Sequence, residues 1–384
     1  MPTIEFYNNE ENAKTGKCIN CGNTNILVWP VNYYKENEAD FAIQLYCKKC
    51  WVKYTQSCEI CDEVFAFDHL YNINHTKYCG SCMRERFVRC YSCHTFIHKS
   101  ENNYIITPDR IQRESLNSDY NWVICNDCYH NGRWLIHDYS FEPPFTFYKT
   151  EKDKKTNLYY GIELEVEAPQ NKTDIILRLP DFIYVKADCS IENGFELVTH
   201  PATYNWLKEN KNVWDGILTN ILNDCCSFST PTCDIHIHLS KNAFNRFHLY
   251  KFMNFIYRNP KFSNTIGQKT QANSNPRRFK QMFKEDNKQL IRKAKELTNY
   301  HEDRYVGINL AREDTIEIRI FKGTLNPKLF WKNIEFVEAL YNFSLLTSFK
   351  EMKVKLFKEF VKCKYKEYPN LSAFLYGEKV CKQL

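Results

Sequence analysis

The chain has 384 residues, which at about 150 residues per domain predicts two to three domains. Its 43% hydrophobic and 15% aromatic content can build real cores and excludes a wholly disordered chain. No apolar run approaches the roughly 20 residues of a membrane span. The opening segment MPTIEFYNNEENAK has no signal-peptide core, so a soluble, cytoplasmic protein is expected.

Eighteen cysteines against 11 glycines is the strongest bias in the composition, and twelve of those cysteines precede residue 130. All twelve fall in CxxC pairs: Cys18/Cys21, Cys47/Cys50, Cys58/Cys61, Cys79/Cys82, Cys90/Cys93 and Cys125/Cys128. A CxxC on a tight turn presents two thiolates on one side of the backbone, half of a tetrahedral zinc shell. Six pairs therefore predict about three structural Zn²⁺ in a zinc-ribbon or treble-clef-like module. Consecutive pairing is the simplest, because each spacer can hold a hairpin; an interleaved cross-brace stays open. His69, His75, His94, His98 and His130 lie close enough in sequence to replace a cysteine.

Charge divides the chain. Residues 1–150 carry 15 Lys+Arg and 18 Asp+Glu, whereas residues 151–384 carry 37 and 28. Three Zn(Cys)₄ centres, each formally −2, would take the first half to about −9. That sign argues against binding nucleic-acid phosphates and for a module that binds protein or presents a substrate. The Pro143-Pro144 break and the charged run after it predict a linker.

Beyond the linker, period-two stretches recur: LYYGIELEVEA, FIYVKADCSI, GFELVTHP, CDIHIHLS, RYVGINLA and TIEIRIFKG. Amphipathic helical stretches are expected at 204–223, 242–258, 277–297, 327–348 and 350–364. Polar alternation along the strands predicts an α+β fold with a mostly antiparallel sheet, helices on one face and the other face open for a site. That second face collects Glu163, Glu165 and Glu167; Glu196; Asp234, His236 and His238; Asn309; and Glu317 and Arg319. Asp188, Ser190 and Glu192 form another alternating set, and only Lys186 intrudes. Carboxylates with few imidazoles suit Mg²⁺ or Mn²⁺. There is no GxxxxGK[ST] or GxGxxG, so a P-loop or Rossmann nucleotide site is excluded. Cys189, Cys225, Cys226, Cys233, Cys363 and Cys381 follow no pattern and read as small buried hydrophobes.

The succession YGIELEVE, DCSIENGFELVTHP, CDIHIHLS and RYVGINLAREDTIEIRIFKGTL resembles the amidoligase family, carboxylate–amine ligases of the glutamine-synthetase-like and glutamate–cysteine ligase superfamily. The resemblance covers about 157–345, without a matching motif in 260–300, and does not extend to the cysteine-rich half. It implies a curved antiparallel sheet of the glutamine-synthetase-like catalytic fold, which binds ATP and Mg²⁺ and joins a carboxylate to an amine. By the same resemblance Glu163 and Glu165 match the first acidic pair, Glu196 the glutamate of the G-x-E-L-V segment, His236 and His238 the H-x-H, and Glu317 and Arg319 the T-x-E-x-R.

Glu163, Glu165, Glu196, His236 and Glu317 are then the expected magnesium ligands. Arg319, Lys322, Arg304, Asn309 and Arg312 are expected around the nucleotide, and Arg277-Arg278 at a solvated helix start, with a mobile flap as the alternative. The organisation expected is a zinc region at 1–145, a linker at 146–156, a catalytic domain at 157–348 and a C-terminal helical extension at 349–384. The partners expected are a protein or peptide substrate presented by the zinc module and an amine or amino-acid co-substrate, with no membrane. Two alternatives remain: a zinc-dependent hydrolase using His236, His238 and Glu317, which would need no ATP, and a non-catalytic adaptor built on the zinc module.

Overall fold

The computed structural model describes residues 13–34, 41–99, 104–106, 122–132, 134–168, 170–298 and 306–377. It is a mixed α+β protein whose chain forms two compact units, Met1–Tyr129 and His130–Leu384. No described helix is long and apolar enough to cross a membrane.

The first unit repeats one design three times. In each repeat a CxxC turn closes on itself: Gly22, Asp62 and His94 donate their backbone N–H to Cys18, Cys58 and Cys90. All three donors have positive φ, which fits Gly22 without strain and Asp62 tolerably. The residue after the first cysteine (Ile19, Glu59 or Tyr91) then donates to a strand leading into the second CxxC, at Leu45, Lys77 and Val123. The second CxxC opens a short helix: Lys48–Tyr54, Gly80–Arg86 or Asn126–Asn131.

In the second unit, numbered separately, β1 (Tyr160–Glu167), β2 (Ile183–Lys186), β3 (Gly194–Thr199), β4 (Asp234–Ser240), β5 (Ile308–Asn309) and β6 (Thr315–Lys322) form one sheet. Its order is β2-β3-β1-β4-β6-β5, antiparallel throughout. Ile162, Leu164 and Val166, with Ile235, Ile237, Ile316 and Ile318, are buried in one core with helices Arg246–Arg258 and Pro327–Leu346. The opposite face of the same strands carries the acidic and imidazole side chains. Gly194 lets β3 start tight against β1, since a Cβ there would lie 1.8 Å from the Val166 carbonyl.

Several expectations are corrected. The stretch 146–156 is fastened to the second unit: Tyr148 N–H donates to Pro201, and buried Asp153 accepts from Thr150, Thr203 and Asn205. The division between the two units falls at Tyr129/His130. Residues 349–377 carry two helices that pack into the second unit. Phe357, Val361 and Leu371 of helices Val354–Cys363 and Pro369–Tyr376 are fully buried in the common core.

The helix expected over 277–297 is two, Pro276–Gln281 and Asn287–Glu296, because Asp286 with Gln289 forms a capping box that restarts it. Asp188, Ser190 and Glu192 lie in the turn between β2 and β3 rather than on a strand. There Asp188 Oδ1 accepts the Ser190 N–H at 2.5 Å.

Candidate metal centres and active site

In the first unit the cysteines gather as Cys18/Cys21/Cys47/Cys50, Cys58/Cys61/Cys79/Cys82 and Cys90/Cys93/Cys125/Cys128, three tetrads that could hold zinc. Four sulfurs placed tetrahedrally at about 2.3 Å from a zinc lie about 3.8 Å apart. Cys21–Cys47, Cys61–Cys79 and Cys93–Cys125 are each separated by 3.8 Å. Backbone N–H groups already favour thiolates, with Cys79 donating to the Cys58 sulfur and Cys125 to that of Cys90, both at 3.3 Å. Burial pushes the Cys58 thiol up, but the N–H groups of Cys61, Cys79 and Ile60 reverse this and bring it to about 7. Burial and the neighbouring Cys128, Cys90 and Cys93 sulfurs push Cys125 to about 12. A tetrad with no cation thus keeps some protons that zinc would displace. None of His69, His75, His94, His98 and His130 joins these groups.

In the second unit strand register lays the acidic face out in rows. Lys186, Glu196 and Glu165 stand in register across β2, β3 and β1, and Asp234 pairs with Lys322 across β4 and β6. The Asp234 N–H joins the two halves of this row by donating to Glu165 Oε2 at 2.6 Å. Glu163 stands opposite His236, while His238, Glu317 and Asn309 align across β4, β6 and β5.

Two groups of ligand atoms converge, Glu163/His236/Glu317 and Glu165/Glu196/His236, sharing one imidazole. His236 Nδ1 lies 3.1 Å from Glu163 Oε2 and 3.4 Å from Glu317 Oε1, and its Nε2 lies 4.0 Å from Glu165 Oε1. That Nε2 is buried with no hydrogen-bond partner, as suits an atom placed to ligate.

The electrostatics show a shortage of positive charge. Burial, with the charges of Glu163 and Glu165, pushes the Glu196 carboxyl up to about 10. Burial, with Asp234 and Asp188, pushes Glu165 to about 7. Burial also acts on Glu163, but the His238 and His236 imidazoles more than reverse it and hold that carboxyl well below the usual range. A divalent cation would relieve the crowding at Glu165 and Glu196.

The surrounding groups divide into those committed elsewhere and those facing the site. Asn309 donates to Glu317 Oε2 at 2.7 Å, and Arg319 pairs with the other oxygen of Glu317. His238 lies with Nε2 3.1 Å from Glu163 Oε1 and stands outside both ligand groups. A bulge in β6 sets Ile235 opposite Phe321 but Ile237 opposite Ile318. The extra residue changes the phase of the strand, so Lys322 joins the acidic row with Asp234.

Lys322 is nevertheless not free to balance a ligand: its ammonium donates to the Thr230 carbonyl at 2.6 Å and to that of Cys233. Arg312 pairs with Glu142 at 2.7 Å. Arg277 is exposed, and Arg304 lies outside the described residues, as do Cys381 and the side chain of Arg278.

Lys269 went unrecognised in the sequence. Buried, it pairs with Asp234 at 2.8 Å and donates to the Arg319 carbonyl at 2.7 Å. It lies in a loop without periodicity, so no pattern could have assigned it to the site.

A cavity of about 700 Å³ opens beside Glu163 and His238, lined by Phe141, Phe145, Phe147, Tyr159 and Tyr184, with Arg312 among its polar groups. No family model matches the chain, and no curated protein matches it.

Proposed function

We propose that the second unit is an ATP- and Mg²⁺-dependent carboxylate–amine ligase. The observation that carries this is the pair of carboxylate–imidazole groups sharing His236, beside an aromatic-lined cavity. Aromatic rings can stack a purine while the acidic groups hold the cations that accompany a triphosphate. Mg²⁺ bound there would neutralise phosphate charge.

The residues would do the rest. Glu163, Glu165, Glu196, His236 and Glu317 would fix the cations, Asn309 and Arg319 would orient Glu317, and Lys269 would hold Asp234 under Glu165. A carboxylate oxygen would attack the γ-phosphorus as the bond to the ADP oxygen breaks, giving an acyl phosphate and ADP. An amine would then displace phosphate, losing a proton to a carboxylate of the same face. Because His238 stays outside the groups that contain His236 and Glu317, a hydrolytic zinc site on those three residues draws less support. The three cysteine tetrads support a capture module for a protein or peptide substrate; tethering would raise its local concentration.

The test is the full chain with ATP, Mg²⁺ and a cell lysate, followed by mass spectrometry for new amide adducts and by phosphate release. Glu317→Gln should abolish both while the protein stays folded. Adducts formed without ATP, or turnover retained in Glu317→Gln, would overturn the ligase assignment.

A further inference from the structure

Lys186 ends β2 in register with Glu196, is 6% exposed, and lines the cavity together with Glu163 and Tyr184. Among the described residues its ammonium makes no ion pair and no hydrogen bond, although Asp138 lies within reach of its charge. The nearby cations are occupied. Lys241 donates to the Leu310 carbonyl at 3.0 Å, Arg312 pairs with Glu142, Lys269 with Asp234, and Lys322 holds two carbonyls. A nearly buried ammonium without a hydrogen-bonded or ion-paired partner is costly to hold, and the cost falls when a ligand brings negative charge. Nor does Lys186 serve to neutralise its cross-strand neighbour, because no ion pair joins it to Glu196.

Building on the ligase assignment, we infer that Lys186 is a further catalytic residue, whose ammonium binds the terminal phosphoryl group of a nucleoside triphosphate seated in the cavity. The cavity meets the acidic face at Glu163, so the triphosphate end of the ligand would lie there. Lys186 stands on the same wall, next to the Glu165/Glu196/His236 group. Cations on the acidic groups would hold one side of the transferring phosphoryl and Lys186 another. The lysine transfers no proton. It donates hydrogen bonds to oxygens whose charge shifts as the carboxylate-oxygen–phosphorus bond forms and the electron pair of the breaking bond leaves with the diphosphate.

Calorimetric binding of ADP and of the imido-bridged, hydrolysis-resistant ATP analogue, both with Mg²⁺, tests this on the full zinc-loaded chain. Lys186→Met should weaken the triphosphate analogue at least about tenfold, as expected for losing a charge-assisted hydrogen bond, and ADP less than about twofold. Lys186→Arg should recover part of the loss. If Lys186→Met does not fold, Lys186→Gln carries the same comparison. Unchanged triphosphate affinity, or equal losses for the two nucleotides, would overturn the role of Lys186 while leaving the ligase assignment standing. A wild-type chain that binds neither nucleotide would overturn both.

Discussion

The two units set side chains that could ligate metal in opposite surroundings. In the first, cysteines are themselves much of the interior: Cys18 and Cys50 sit in one small buried cluster, and Cys58, Cys79 and Cys82 make up most of the other. Apolar burial on that scale does not offset the chain entropy of the unit, so the tetrads stand where a hydrophobic core would. The second unit has a continuous core of isoleucine, leucine, phenylalanine and tryptophan from Leu158 to Leu371, and its carboxylates crowd onto the face that this core holds rigid. The tetrads of one unit could hold the cations around which so small a core would fold. The other has a core large enough to hold a cluster of buried carboxylates on one face of its sheet.

The largest expected effect breaks that contrast if it fails. Stripping zinc with a strong chelator should remove about 10 kcal/mol or more of folding free energy per tetrad. Amide-hydrogen exchange should then show protection lost across the described strands and helices of the first unit and kept across the sheet of the second unit. Protection that survives chelation in the first unit would mean that its apolar clusters suffice.

The reverse perturbation is smaller. Phe357 is fully buried, with its ring centroid 5.2 Å from that of Phe255 and 5.5 Å from that of Phe343. Phe357→Ala should cost the second unit about 3–5 kcal/mol in denaturant unfolding, through lost burial and the cavity left behind. Zinc content should stay at about three per chain; a fall would show that the units do not fold separately.

The smallest effect is a pH dependence confined to the second unit. His248 donates from Nε2 to the Tyr341 carbonyl at 3.0 Å, and burial pulls its imidazole down to about 4. A folded value below the ordinary one means that this contribution is present in full above about pH 6.5 and lost as the pH falls through about 4. Urea midpoints measured from pH 7 to 4 should fall for the wild type, and His248→Gln should flatten that part of the slope. An unchanged slope would assign the acid sensitivity to other groups.

Much of this organisation is written in local pattern. The CxxC spacing brings two sulfurs to one side of the backbone, on a turn in the first pair of each tetrad and at a helix start in the second. Period-two alternation places Glu163 and Glu165 opposite Ile162 and Leu164, since a strand allows its side chains only two directions. Tertiary structure decided what depends on register and on where chains return. Consecutive CxxC pairs share a tetrad because Leu45, Lys77 and Val123 accept the bonds that bring each second strand back to its turn. His236 is common to both acidic groups because β4 pairs with β1 and β6 at once, and the bulge in β6 carries Lys322 onto their face. Whether a lysine is spent on carbonyls, like Lys322, or left facing a cavity, like Lys186, depends on loops distant in sequence. A charge on a strand has the same local signature in both cases, and only the packed chain determines its partners.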